Sequence, residues 1–240
     1  MNDRPVLCAH AWTAPTITNK RDTVTIKVGT GRHIRKYNLH VEALRARSGY
    51  FHETLPASSN EDCSTIRLPL SATKPFDVFA NWLYSGNLDS STDVGSRYLF
   101  LCELHAFAGK FDIPLLRNKI VDVFFKKLLH DAHSLPYDIM KYVEEHLRDS
   151  ALRIMMQDIM LNCGEAEKMA EWKVNLAKGF GPAGGGGKQD LVESVYGSAD
   201  VREYLVGLQG RVCEKYHKHA ERDEMVVERG ELWFFDPPLQ

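Results

Sequence analysis

Val24-Thr25-Ile26-Lys27-Val28, Gly29-Thr30-Gly31-Arg32 and His33 to Leu39, followed by Val41 to Leu55, form a stretch in which the apolar period changes from that of a strand to that of a helix. Val24, Ile26 and Val28 alternate with polar residues, as a half-buried strand requires. Gly29 and Gly31 supply the positive φ that a tight turn needs, and His33 to Leu39 offers the return strand of a hairpin. Val41, Ala43 and Leu44 then share one face of a short helix. Ser48-Gly49 breaks it, and Tyr50, Phe51 and Leu55 lie on a second helix that Ser48 is expected to cap and Pro56 to end. A hairpin running straight into paired helices predicts an α+β fold.

Further along, a polar stretch from Ala57 to Ser64 leads into Thr65-Ile66-Arg67-Leu68-Pro69, a short strand placed at an edge by its proline. Lys74-Pro75 opens a helix with proline where a missing N–H costs least; Phe76, Phe79 and Leu83 repeat at helical spacing, and Tyr84-Ser85-Gly86 closes it. Leu99, Cys102, Leu104, Ala106 and Ala108 spread so widely round the next helix, about Ser96 to Lys110, that it is expected at the centre of the domain. Pro114 opens another, with Leu116, Ile120, Val123 and Phe124 on its buried face and Lys126 and Lys127 at the negative end of its dipole.

These residues resemble the BTB/POZ domain, a helical cluster flanked by a small sheet. Val24–Val28 resembles its first strand, and Tyr37-Asn38-Leu39-His40, Leu44 and Ser48-Gly49-Tyr50-Phe51 resemble its phenylalanine-x-x-histidine, leucine and serine-x-x-phenylalanine series. Phe76 to Leu88 is similar to its valine-phenylalanine helix ending in tyrosine, serine and glycine. Leu104 to Phe111 and Leu115 to Lys119 resemble its leucine, alanine, lysine, aromatic and leucine-x-asparagine sequence. Tyr142 to His146, Ser150 to Arg153 and Asp158, with Cys213, Tyr216, His217 and His219, resemble the helical continuation found in BTB proteins of filamentous fungi.

The chain has 240 residues and a formal charge of −2, enough length for a sizeable core and no global pull toward nucleic acid. No stretch reaches the roughly twenty apolar residues that span a bilayer, and no apolar signal region opens the chain; cytoplasm or nucleus is expected. The five cysteines, Cys8, Cys63, Cys102, Cys163 and Cys213, are scattered and odd in number, so reduced thiols are expected. The expected organisation is an arm over 1–22, flexible or ordered by a partner, and a domain over 23–130. A helical extension over 131–178, a glycine-rich linker over 179–188, and helices with an apolar tail over 189–240 follow. In that last part Val201, Tyr204, Leu205 and Leu208 begin a helix that becomes strongly charged from Glu214 to Arg229. Trp233 to Pro238 suits either a docked terminus or a peptide that enters a partner groove.

Several motifs suggest chemistry. Gly187-Lys188 has the look of a phosphate loop, but Pro182 stands in place of its first glycine and Gln189 in place of its magnesium ligand, so a linker is the better account. Cys213 and His217, four residues apart, could share a helical face as zinc ligands with His219 from a frayed end, and Cys163, or Cys8 with His10, would have to complete the set. His130 and His133 suit a polar helix end, and His40 suits the hairpin-to-helix junction better than a general base. No Gly-x-Ser-x-Gly elbow or paired-carboxylate scaffold is present. Lys27, Arg32, Arg35, Lys36, Arg45 and Arg47 form a basic cluster without interleaved aromatics, expected to be a solvated face and not a DNA site.

The resemblance implies a non-enzymatic protein-interaction module without cofactor, small-molecule substrate or membrane. Such a module could be a substrate adaptor for a cullin-3 ubiquitin ligase, or a scaffold in transcription or signalling without cullin. The matching partner surface is Leu55, Tyr84 and Phe51. The loop from Pro56 to Ser64 lacks the hydrophobic-x-acidic motif of typical adaptors, and Gly109 stands where aspartate is frequent. Monomer and homodimer both stay open, since no amphipathic helix precedes Val24 for exchange between copies. A metal-binding protein using Cys213, His217 and His219 is the remaining alternative.

Overall fold

The computed structural model describes residues 12–56, 65–69, 73–88, 98–130, 137–163 and 199–218. Their architecture is α+β, with one three-stranded sheet against a cluster of helices. The hairpin forms from β1 (Thr23–Val28) and β2 (Arg35–His40), antiparallel, with Val24 opposite Leu39 and Ile26 opposite Tyr37. Gly29 and Gly31 take φ of 113° and 57° in the connecting turn. Helices α1 (Val41–Arg47) and α2 (Gly49–Thr54) follow directly, and β3 (Thr65–Leu68) then pairs parallel to β1. The strand order is therefore β2-β1-β3, with β3 at the edge that Pro69 suits.

Helix α3 (Lys74–Ser85) has its proline in the first turn and ends at Gly86, whose φ of 67° reverses the chain. Glycine is required there twice, because a Cβ on Gly86 would also lie 2.3 Å from the Trp12 ring. Of the arm expected over 1–22, Trp12 to Asp22 are held against the body: Thr18 donates from its backbone N–H to Glu42, and Arg47 donates to the Thr13 carbonyl.

Helices α4 (Tyr98–Lys110) and α5 (Pro114–His130) pack side by side. Burial runs almost all round α4, as a central helix requires, although Leu99 is 40% exposed and departs from that expectation. Between the sheet and these helices lies an aromatic core. Phe51 stacks on Phe79 and on Phe111, and Phe107 lies 4.7 Å, ring centre to ring centre, from Phe111.

The extension opens with α6 (Tyr137–His146) and α7 (Ala151–Cys163). Val143, Leu147, Leu152, Met155 and Met156 are buried, while Ile154, expected in the same core, is half-exposed because it lies off the buried face. The residues numbered 164–198 and 219–240, with the glycine-rich linker and the apolar tail, lie outside the described residues. Helix α8 (Ala199–Leu208) returns to pack on α7 and α5. Among the described residues the expected helix is interrupted: the chain turns at Gln209 to Arg211, and α9 (Val212–Tyr216) ends at His217, while the charged stretch beyond 218 lies outside the described residues. Gly210 in the turn disfavours helix continuation. The extension and the body share one hydrophobic core running from Val24 to Tyr216. No helix among the described residues is long and apolar enough to cross a membrane.

Candidate partner interface

Helix α2 owes its position to Ser48. Its Oγ accepts the Phe51 N–H at 3.2 Å, the expected N-cap, and donates to the Phe111 carbonyl at 2.5 Å. The Gly49 N–H donates to the Asp112 carbonyl at 2.9 Å. These bonds draw the start of α2 against the α4–α5 turn, so its apolar face points inward. At the other end the Arg45 guanidinium donates to the carbonyls of His52 and Leu55.

This geometry corrects two of the three residues expected at the surface. Phe51 is fully buried and Leu55 is 2% exposed, because the i, i+4 spacing that suggested a contact stripe is the stripe α2 turns to its own core. A glutamate at Leu55 would put a carboxylate in that core and would report on folding, not on partner binding. The outward side of α2 is instead His52, Glu53 and Thr54.

Tyr84 is the member of the set that reaches solvent, with 37% exposure at the end of α3. Its hydroxyl accepts the His40 N–H at 3.1 Å and lies 3.0 Å from His40 Nδ1, and the two rings meet edge to face at 5.8 Å. His40 sits between β2 and α1, the junction role expected of it. The pair forms an oriented aromatic surface whose side chains are already held before any partner arrives.

The basic cluster divides once the chain is folded. Arg35 pairs with Asp77, which also accepts the Tyr37 hydroxyl; burial first, and then that bond, push Tyr37 up to about 12. Arg45 is spent on α2, and Arg47 on Thr13 and the Trp12 ring face at 5.8 Å. Lys27 and Lys36 remain directed outward from the sheet.

Of the metal-ligand candidates, Cys8, His10 and His219 lie outside the described residues, which include Cys213 and His217. His217 is the residue that ends α9, and its N–H donates to the Cys213 carbonyl at 3.2 Å, one turn back. Its Nε2 is 2.9 Å from Asp122 Oδ1, with the ring almost wholly buried. Among the described residues no group of three or more His, Cys, Asp and Glu could hold a metal. Neither Cys102 nor Cys213 is in a disulfide, and burial pushes the Cys102 thiol up to about 12, where it is inert at neutral pH.

Sequence reasoning missed a polar clamp. Asn118 on α5 donates from Nδ2 to the Lys218 carbonyl at 2.8 Å and accepts the Lys218 N–H at 3.0 Å. Tyr216 donates to Asp158 at 2.9 Å. Next to this clamp His105 is buried, and burial, with Arg117 and Lys218 adding to it, lowers its pKa to about 3. The asparagine in the leucine-x-asparagine pattern was visible in the chain, but its partner lies a hundred residues away.

No known family model matches the sequence. No curated protein matches it either.

Proposed function

We propose that the chain is a non-enzymatic protein-interaction module of the BTB/POZ type, with a helical extension docked on it. One observation carries this: the ordered sequence blocks that resemble the family meet in a single core. Val24 and Leu39 of the hairpin, Leu44 of α1, Phe51 of α2, Phe79 of α3, Phe107 of α4 and Leu116 of α5 are all buried together. Motif residues that share a core support a common fold more strongly than motif residues scattered over a surface, since their identity then answers to packing.

The finer proposal is a cullin-3 adaptor. It rests on the exposed Tyr84 and the His40 ring beside it, not on Leu55 or Phe51. Binding of the intact chain to a purified cullin-3 N-terminal domain tests it by titration calorimetry, with light scattering for the mass of the complex. Saturable binding that weakens about tenfold on Tyr84→Ala supports the adaptor, a loss typical of an aromatic anchor. Absence of binding favours the scaffold without cullin. Enzymatic turnover by the purified chain would sink the interaction module as its function.

A further inference from the structure

We propose that the outward face of the sheet docks an acidic segment of a protein partner, gripped by Lys27, Lys36 and Arg67. The register of the strands creates this site. Lys27 on β1 stands opposite Lys36 on β2 and, on its other side, opposite Arg67 on β3. Burial alternates along β1 and β3 and, in β2, from Lys36 to His40, so Val24, Ile26, Val28, Leu39, Ile66 and Leu68 point inward while the three cations share the outer face. Neighbouring strands are about 4.8 Å apart, so the cations form a transverse row about 10 Å wide.

Three like charges directly opposite one another destabilise a sheet unless something neutralises them. Nothing on the described face does: the other outward positions are Thr23, Thr25, Asn38, His40 and Thr65, without a carboxylate. The whole chain, by contrast, has 32 acidic residues against 30 lysines and arginines. The neighbouring arginines show what internal use looks like, since Arg35, Arg45 and Arg47 are each bound to an acceptor of the chain itself. Among the described residues the row has no carboxylate beside it, and its charge complements an acidic segment.

Carboxylates on a peptide fit better than phosphates on a nucleic acid. Single strands need exposed aromatic rings to stack on, and the one ring among these outward positions, His40, is held by Tyr84. Duplex DNA is read by a helix or ribbon entering a groove, whereas this is the broad face of a three-stranded sheet. Acidic side chains two apart on an extended peptide are about 6.7 Å apart and can span neighbouring cations of the row. The row lies about 13 Å along β2 from His40, so this site does not rest on the Tyr84 surface or on the family proposed above.

Fluorescence anisotropy with the full chain and a labelled deca-glutamate peptide tests the proposal. The natural chain is expected to bind at low ionic strength and to release the peptide as salt rises. Combined Lys27→Gln, Lys36→Gln and Arg67→Gln substitution weakens binding about tenfold or more, because charge-assisted contacts are lost. Lys27→Gln alone, at the centre of the row, gives an intermediate loss, and Lys110→Gln on α4 none. The triple variant melts no lower than the natural chain, since it relieves repulsion. Equal binding by the triple variant, no binding by the natural chain, a lower melting temperature, or tighter row-dependent binding of a labelled oligothymidine would each overturn the proposal.

Discussion

The body, β1 to β3 with α1 to α5, and the extension, α6 to α9, share a core but are secured differently. The body closes on rings: Phe51, Phe76, Phe79, Trp82, Phe107 and Phe111 contact one another in chains of stacked and edge-to-face pairs. The extension buries mainly aliphatic side chains and thioethers, among them Met140, Met155, Met156, Ile159, Leu205 and Leu208. Its last described residues are then clamped by named polar pairs, Asn118 with Lys218, Asp122 with His217 and Asp158 with Tyr216. Rings impose direction as well as burial, whereas thioethers adapt to whatever shape is offered. The end of the extension is therefore fixed by hydrogen bonds over an adaptable core, whereas the body adds the shape of its rings to bonds such as those of Ser48.

The largest effect should come from the rings. Phe79→Ala is expected to cost about 3–5 kcal/mol, the range for deleting a buried phenylalanine. Denaturant unfolding followed by tryptophan fluorescence and by far-UV circular dichroism should show one transition moving as a unit. Loss of the extension alone would break the comparison, because it would mean that the shared core does not couple the two regions.

Acid should act at their junction. His105 on α4 faces two cations, Arg117 of α5 and Lys218 of the clamped segment, and its folded pKa of about 3 lies below the ordinary 6.5. The unfolded chain then takes up a proton that the folded chain refuses. The His105 contribution to stability is whole above pH 6.5 and declines by about 1.4 kcal/mol for each unit toward pH 3. His105→Gln should flatten this part of the stability–pH curve. An unchanged slope would show that His105 takes up its proton in the folded chain.

The smallest effect should be the most local. Asn118→Ala removes both bonds to Lys218 and should cost about 1 kcal/mol net, because the released backbone finds water. Hydrogen exchange would show a faster Lys218 amide with no change at Ile26. Equal acceleration at both would place the clamp among the determinants of the body.

The local elements were legible from particular residues. Alternation of Val24, Ile26 and Val28, proline at the start of α3, Gly86 at its end and Ser48 before α2 are each decided by backbone geometry within a few residues. The candidate surface was less legible. Tyr84 is exposed and Phe51 and Leu55 are buried, a difference that spacing along α2 does not contain, because an apolar stripe reads the same against a core or a partner.

By itself, then, the sequence determined the kinds and order of the elements, since dihedral preference and apolar period are properties of neighbouring residues. Only the tertiary structure decided which charges are spent and which are offered. Arg35 meets Asp77 through the packing of β2 on α3, and Arg67 joins Lys27 and Lys36 because β3 enters parallel to β1. Lys218 meets Asn118 by a return of the chain over the α5 and α7 surface. Such pairings depend on distances in space between residues remote in sequence, and no local propensity encodes those distances.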